Sequence, residues 1–449
     1  MIVIVAVAAI ADVIELGLVD VIGASGGAVA VAVAVAITAT ITAAITATIA
    51  ASITYSQGRS TERDCRFAPP MFHAAPFRLI GCILRAMAHA LHDRGLDEIL
   101  AGVSRSFHLS LSAAPRAVRS QLATTYLVAR AADTIADTHL ITAAARLPLL
   151  GALRGAILDG THDVQDLGER IRGELGAAGG DGDGPIPMQR RLLERTADCL
   201  TLLHLLPDGD LGRARQVLAL LIRGMEQDLV RFAPDGSGAP RAIATLAELD
   251  EHTYLEAGCV GEFWSDLCAA HLPAAAHLAE PEWRARAARL GKALQLVNVM
   301  RDAPADLAEG RCYLPSAMLA AHGLVPRDLL TARRVEARPV LDELRHLALE
   351  HVDAAWPWVT AIPRRAARLR LTCIWPLWIA LGTLAKIAAA DDPLAPGAAI
   401  KVHRKEVYRI VAESTAVVGF AAMLSRRHWN RRALAGVRDM SPPPEETAS

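Results

Sequence analysis

The chain has 449 residues, 52% of them hydrophobic and 21% charged, with a formal net charge of −1 and a mean hydropathy of +0.27. The apolar fraction excludes a mainly disordered chain, and the near-neutral balance argues against a polybasic nucleic-acid partner. Length alone allows one large domain or roughly two to three ordinary ones. Of 47 basic residues four are Lys (Lys292, Lys386, Lys401 and Lys405) and the other 43 are Arg, a bias that reads as coding preference rather than chemistry.

The first 58 residues hold no Lys or Arg, and residues 21–58 hold no charge of either sign. The run from Gly26 to Ala51 is almost wholly Ala, Val, Ile and Thr, long enough to span a bilayer. A secretory signal would open with basic residues, and this segment carries Asp12, Glu15 and Asp20 instead. Arg59, Arg63 and Arg66 follow the run and would hold the later chain at the cytoplasmic face of a membrane. Two other readings stand beside an anchor: low-complexity sequence, or a true start at Met71 or Met87. Gly23-Ala-Ser-Gly-Gly27 matches GxSxG formally but lacks a strand–elbow–helix setting.

From about residue 79 the pattern changes to apolar residues at i, i+3, i+4 and i+7. The spacing predicts helices over 85–101, 117–138, 190–206, 211–231, 284–303, 339–356 and 369–390. Gly173–Pro187 and Ala233–Pro240 read as loops, and Ser441–Ser449 as a polar, proline-containing tail. The organisation expected is an apolar extension over 1–75, one all-α domain over 76–432 and a disordered tail over 433–449. Seven scattered Cys with no CxxC give neither a disulfide framework nor a zinc site, and fit a reducing, intracellular setting. Cys259 and Cys312 read as small packing residues.

The first chemical motif lies inside the predicted helix 117–138. Tyr126, Arg130, Asp133 and Asp137 fall at i, i+4, i+7 and i+11, on one face. Two carboxylates four residues apart repel each other, and on an apolar helix they are costly to bury bare. A hard cation such as Mg²⁺ relieves both costs. The second motif places Asn298, Asp302 and Asp306 on one face with Arg301 beside it, followed by Gly310-Arg311-Cys-Tyr-Leu-Pro315. Pro304 lies between the two Asp residues and is expected to kink or end the helix there. One DxxxD alone would read as a solvated face. Two, each with an adjacent Arg, suit the grip of a diphosphate through Mg²⁺ and guanidinium groups.

Five stretches in order resemble the squalene/phytoene synthase family: Ser104-Arg-Ser-Phe107, Tyr126 to Asp137, Gly258-Cys-Val-Gly261, Asn298 to Pro315 and Cys373-Ile-Trp-Pro376. On its own, Ser104–Phe107 would read as a capped helix start. The resemblance spans most of 90–430 and none of 1–75. It implies an isoprenoid synthase-type helical bundle around a central apolar pocket, and head-to-head condensation of two prenyl diphosphates. Asp133, Asp137, Asn298, Asp302 and Asp306 would then bind Mg²⁺. Ser104, Arg105, Arg130, Arg301 and Arg311 would hold diphosphate, and Tyr126 would line the pocket. His252 stands where the family carries a pocket tyrosine and is taken as a catalytic candidate. Glu256, four residues on, could pair with it. Thr372 stands where squalene synthases tend to have Phe.

The stretch Ile400–Glu406 looks like the basic segment that squalene synthases use near NADPH, which makes Lys401 and Arg404 cofactor-binding candidates. No GxGxxG on a βαβ unit is present. The expected product is squalene, made through presqualene diphosphate. Two alternatives are a synthase that stops before reduction (phytoene, dehydrosqualene or presqualene diphosphate) and a non-catalytic prenyl-lipid binder. Peripheral or N-terminally anchored membrane contact is expected, and no nucleic acid.

Overall fold

The computed structural model describes residues 94–436, except 105–110, 112, 159–162, 178–185, 235, 237 and 399. The apolar extension, Arg105 and the tail from 437 onward lie outside the described residues. Everything described falls within the unit that begins at Arg78.

Helices α1 (Arg94–Ser104), α2 (Arg116–Asp137), α3 (Ala143–Leu158), α4 (Val164–Ala177), α5 (Ile186–Glu194), α6 (Thr196–His204) and α7 (Asp208–Arg231) lead to the two-residue strand β1 (Arg241–Ala242). Next come α8 (Leu246–Thr253), a π-helical turn (Tyr254–Gly258), α9 (Cys259–His271) and α10 (Pro281–Ala308). The chain continues through β2 (Arg311–Cys312), α11 (Ser316–Ala321), α12 (Arg338–Ala361), α13 (Ala367–Ala389), α14 (Arg404–Val417) and α15 (Ala421–Ala435). The all-α expectation holds.

Several boundaries differ from the sequence reading. The single helix expected over 190–206 is two, α5 and α6, broken at Arg195 (φ −101°, ψ 13°). Thr196 sits at the break and its hydroxyl donates to Leu193 O at 2.9 Å. Both halves bury leucines (Leu192, Leu193, Leu200 and Leu203), so the apolar period runs on while the backbone turns. The loop expected from Gly173 is helical to Ala177. Ser104 closes α1 instead of opening a helix. The tail expected from 433 is helical to Ala435. Pro304 neither ends nor breaks α10, which continues to Ala308. A proline removes one backbone donor, and Pro304 is itself buried in the helix, as are Val299, Met300 and Leu307.

The core is continuous from α2 to α15. Helix α10 lies chiefly against α12 and α9. Its approach to the π-turn and α9 is set by glycine. A Cβ on Gly261 would stand 2.1 Å from Ala287 O, and one on Gly291 would stand 2.0 Å from Ala257 O. Backbone therefore meets backbone on both sides. Asp210, buried in α7, accepts from His271 Nε2 at 2.8 Å and from Gln121 Nε2 at 3.2 Å, which ties α7 to α9 and α2. Helix α13 is long and apolar enough to cross a membrane, and most of it is buried inside the protein. Trp378 is fully covered, and Trp375 Nε1 donates to Ser414 Oγ at 2.9 Å.

Strands β1 and β2 pair in parallel, with Arg241 opposite Arg311. Arg241 N donates to Gly310 O at 2.9 Å, and Ile243 N to Cys312 O at 3.0 Å. This short clip fixes the chain just beyond α10. Replacing Gly291 with Ala forces α10 away from the turn, and we expect a loss of about 1–3 kcal/mol in urea unfolding. An unchanged midpoint would show that the backbone contact is not limiting.

Candidate active site

Helix α2 buries Leu127, Val128, Ala131 and Ile135, and Arg130, Asp133 and Asp137 lie on its other side. The chain enters it through Pro115 in an extended conformation and leaves at extended Thr138, just after Asp137. Arg130 pairs with Asp133 one turn along. On α10, Arg301 pairs with its neighbour Asp302, Nε to Oδ1 at 2.7 Å. Asn298 Nδ2 donates to Gln295 Oε1 at 3.1 Å.

Arg311 joins the two motifs. Its Nη1 donates to Asp137 Oδ1 at 3.1 Å, and its Nη2 to Asp306 Oδ1 at 3.2 Å; Nη2 also lies 2.8 Å from Glu309 Oε2. One guanidinium thus spans α2 and α10, held in place by the β1–β2 clip. Two segments more than a hundred residues apart do converge. Burial pushes the Asp133 carboxyl up to about 6 despite Arg130, with Asp137 adding to the rise. Burial does the same for Asp306, to about 6, against the pull of Arg311.

Two carboxylates and a tyrosine complete the cluster, and the sequence reading did not place them there. Asp228 on α7 accepts from Tyr313 Oη at 2.9 Å and from Arg231 Nη1 at 2.9 Å. His252 is buried beside it, Nδ1 at 3.5 Å from Asp228 Oδ2, and its ring lies 4.7 Å from that of Tyr313. Glu256 comes from the π-turn. Its Oε1 would be 2.7 Å from a Cβ at Gly224, so the glycine on α7 makes room for it. Burial, then the charges of Asp228, Asp133 and Asp137, raise the Glu256 carboxyl well above its ordinary value. Asp228, His252 and Glu256 bring donor atoms within 4.8 Å of one another. The i,i+4 spacing of His252 and Glu256 gave a signal for this. Asp228 gave none beyond being a lone acid on an amphipathic helix.

Other candidates sit elsewhere. Tyr126 Oη donates to Val103 O at 3.4 Å, beside the end of α1 that carries Ser104. Tyr254 turns away from His252, donating to Glu262 at 3.2 Å. Lys401 and Arg404 are exposed at the start of α14, with no ion pair among the described residues. Thr372 is buried in α13 and donates to Leu369 O at 2.7 Å. Cys259, Cys312 and Cys373 are buried and free, their thiols pushed up to about 12 by burial, as packing residues should be.

The donor set is oxygen-rich and short of positive charge, the condition that a hard divalent cation satisfies. The residues therefore fit Mg²⁺.

Residues 100–406 match the sequence pattern of squalene/phytoene synthases. The chain belongs to the squalene/phytoene synthase family. A bifunctional lycopene cyclase/phytoene synthase of Neurospora crassa is 29% identical over 276 residues, 59% of this chain and 42% of the relative. A squalene synthase of Candida albicans is 23% identical over 326 residues, 72% of this chain and 67% of that protein. Among solved structures, the complex of TcSQS with the ligand E5700 superposes with a TM-score of 0.61 at 22% identity, covering 77% of this chain and 92% of that one. The fold is thus the isoprenoid synthase helical fold of this family. The match spans 42% of the length of the first two bifunctional relatives, from Neurospora crassa and Colletotrichum graminicola.

The raised carboxyls set a stability profile for this family member. In the unfolded chain Asp133 and Asp306 lose their protons near 3.8; in the folded protein they keep them to about 6. Between those values the folded state binds more protons, so stability falls as pH rises, and the penalty is complete above the folded value. In metal-free protein we expect Asp133→Asn to flatten that fall in Tm, and Mg²⁺ to abolish it in the parent chain. Identical profiles for parent and variant would contradict the burial argument.

Proposed function

We propose that the chain is a Mg²⁺-dependent prenyltransferase that joins two farnesyl diphosphates head to head to presqualene diphosphate and reduces this to squalene with NADPH. The observation that carries the reading is the bridge from Asp137 through Arg311 to Asp306, which gathers two DxxxD faces into one electronegative site. Asp133, Asp137, Asn298, Asp302 and Asp306 would hold Mg²⁺, which supplies positive charge to a departing diphosphate. Arg130, Arg301 and Arg311 are near enough to the carboxylates to exchange them for diphosphate oxygens. Ser104 and Arg105 would add to this grip.

The chemistry required is ionisation of one C1–O bond, the electron pair leaving with diphosphate, and attack of the second substrate's double bond on that carbon. Closure of a cyclopropane then releases a proton. His252, buried beside Asp228, would accept it. Tyr126 offers a π face near the same helix end, in line with shelter of a cation. Lys401 and Arg404 would bind the NADPH phosphate from the exposed start of α14. We further propose that the protein works at the cytoplasmic face of a membrane, where long prenyl chains partition.

A second reading, a synthase that stops before reduction, is favoured by the phytoene synthase relatives. One assay decides between them: purified protein with labelled farnesyl diphosphate and Mg²⁺, with NADPH supplied or withheld. We expect squalene only when NADPH is present, and presqualene diphosphate when it is absent. The same C30 products with and without NADPH would refute the reductive step. Asp133→Asn and Asp302→Asn should each cut turnover by about 10²–10³-fold, and chelation of Mg²⁺ should abolish it. Parent protein with no turnover on any prenyl diphosphate would leave a lipid-binding role in place of catalysis.

A further inference from the structure

Charge is unevenly spread. The whole chain carries a net −1, yet residues 400–436 hold eight Lys and Arg against two Glu. Within that stretch α15 buries one face only. Leu424, His428 and Ala435 point inward, and Arg432 is held by Asp353 at 2.8 Å. The other face is open. Phe420 at the cap, Met423 and Leu434 are 62%, 52% and 75% exposed. They recur at spacings of 3 and 11 residues, which keeps them on one stripe of a 3.6-residue helix. Arg427 lies within the stripe and Arg426 beside it; both are exposed and have no ion pair among the described residues.

Large exposed apolar side chains cost solvation unless something covers them. Here the candidates for cover must accept both greasy tips and positive charge. A negatively charged bilayer surface does so: the apolar tips enter the headgroup boundary and the guanidinium groups stay with the lipid phosphates. A polynucleotide would match the charge, but would leave Phe420, Met423 and Leu434 against phosphate. We propose that the outward face of α15 docks the protein on an anionic lipid surface, with Phe420, Met423 and Leu434 inserted and Arg426 and Arg427 on the headgroups. The contact is separate from the acidic site and does not depend on what that site catalyses. It differs also from an anchor in the N-terminal run, which would be indifferent to lipid charge.

The test uses the full chain and sedimentation with vesicles of pure phosphatidylcholine or of equimolar phosphatidylcholine and phosphatidylglycerol. We expect binding to the anionic vesicles alone, weakened as salt is raised toward 1 M, where the screening length falls to about 3 Å. Each basic residue near such a surface is worth roughly a five-fold change in partition, so R426Q/R427Q should weaken binding about 25-fold. M423S/L434S should remove the part that salt cannot screen. All four positions are on the surface, so circular dichroism and the Mg²⁺-dependent rise in Tm should match the parent. Equal binding to neutral and anionic vesicles, no binding to either, an undiminished R426Q/R427Q, or tighter binding to duplex DNA than to vesicles would each overturn the assignment.

Discussion

The site rests on an electrostatic debt: carboxylates from four elements crowd into one partly desolvated region with too few cations to neutralise them. Glu256 on the π-turn feels Asp228 on α7 and Asp133 and Asp137 on α2, and Asp306 on α10 is joined to Asp137 through Arg311. Burying unpaired charge is among the most costly things a fold can do. Arg130 and Arg311 offset part of it, and the remainder shows as carboxyls that hold their protons too long. Such a region is poised for positive charge that arrives with a ligand.

The geometry follows from devices that contain little chemistry themselves. Arg311 can reach both α2 and α10 because a two-residue parallel pairing stops the chain immediately after α10. α10 is in reach because Gly261 and Gly291 let backbone touch backbone. Glu256 can sit over α7 because Gly224 has no side chain to oppose it. Each glycine works by absence, and each lies away from the acidic motifs in sequence.

Much of the site was legible in the sequence because helical periodicity is local. The faces Tyr126–Asp137 and Asn298–Asp306 could be drawn from spacing, and α10 runs on past Pro304 to Ala308. What was not legible depends on register between distant segments. Arg311 could be named as a ligand candidate, but its bridge to Asp137 depends on the β1–β2 pairing, and two residues carry no strand pattern. Asp228 looked like any solvated acid on an amphipathic helix. The split between α5 and α6 was hidden because both halves bury leucine at the same period.

The π-turn adds a geometrical consequence. Cys259 N bonds back to Tyr254 O, five residues behind, so the helix there is wound wider than its neighbours. Rewinding the same five residues as ordinary α-helix would add turn at each of them, and everything downstream would then rotate by about 90°. Gly258 and Gly261 would swing off α10, and bulky Phe263 and Trp264 would be driven toward it. The local irregularity is therefore locked in by the close fit beyond it: the wide winding of five residues sets the phase of the thirteen that follow in α9.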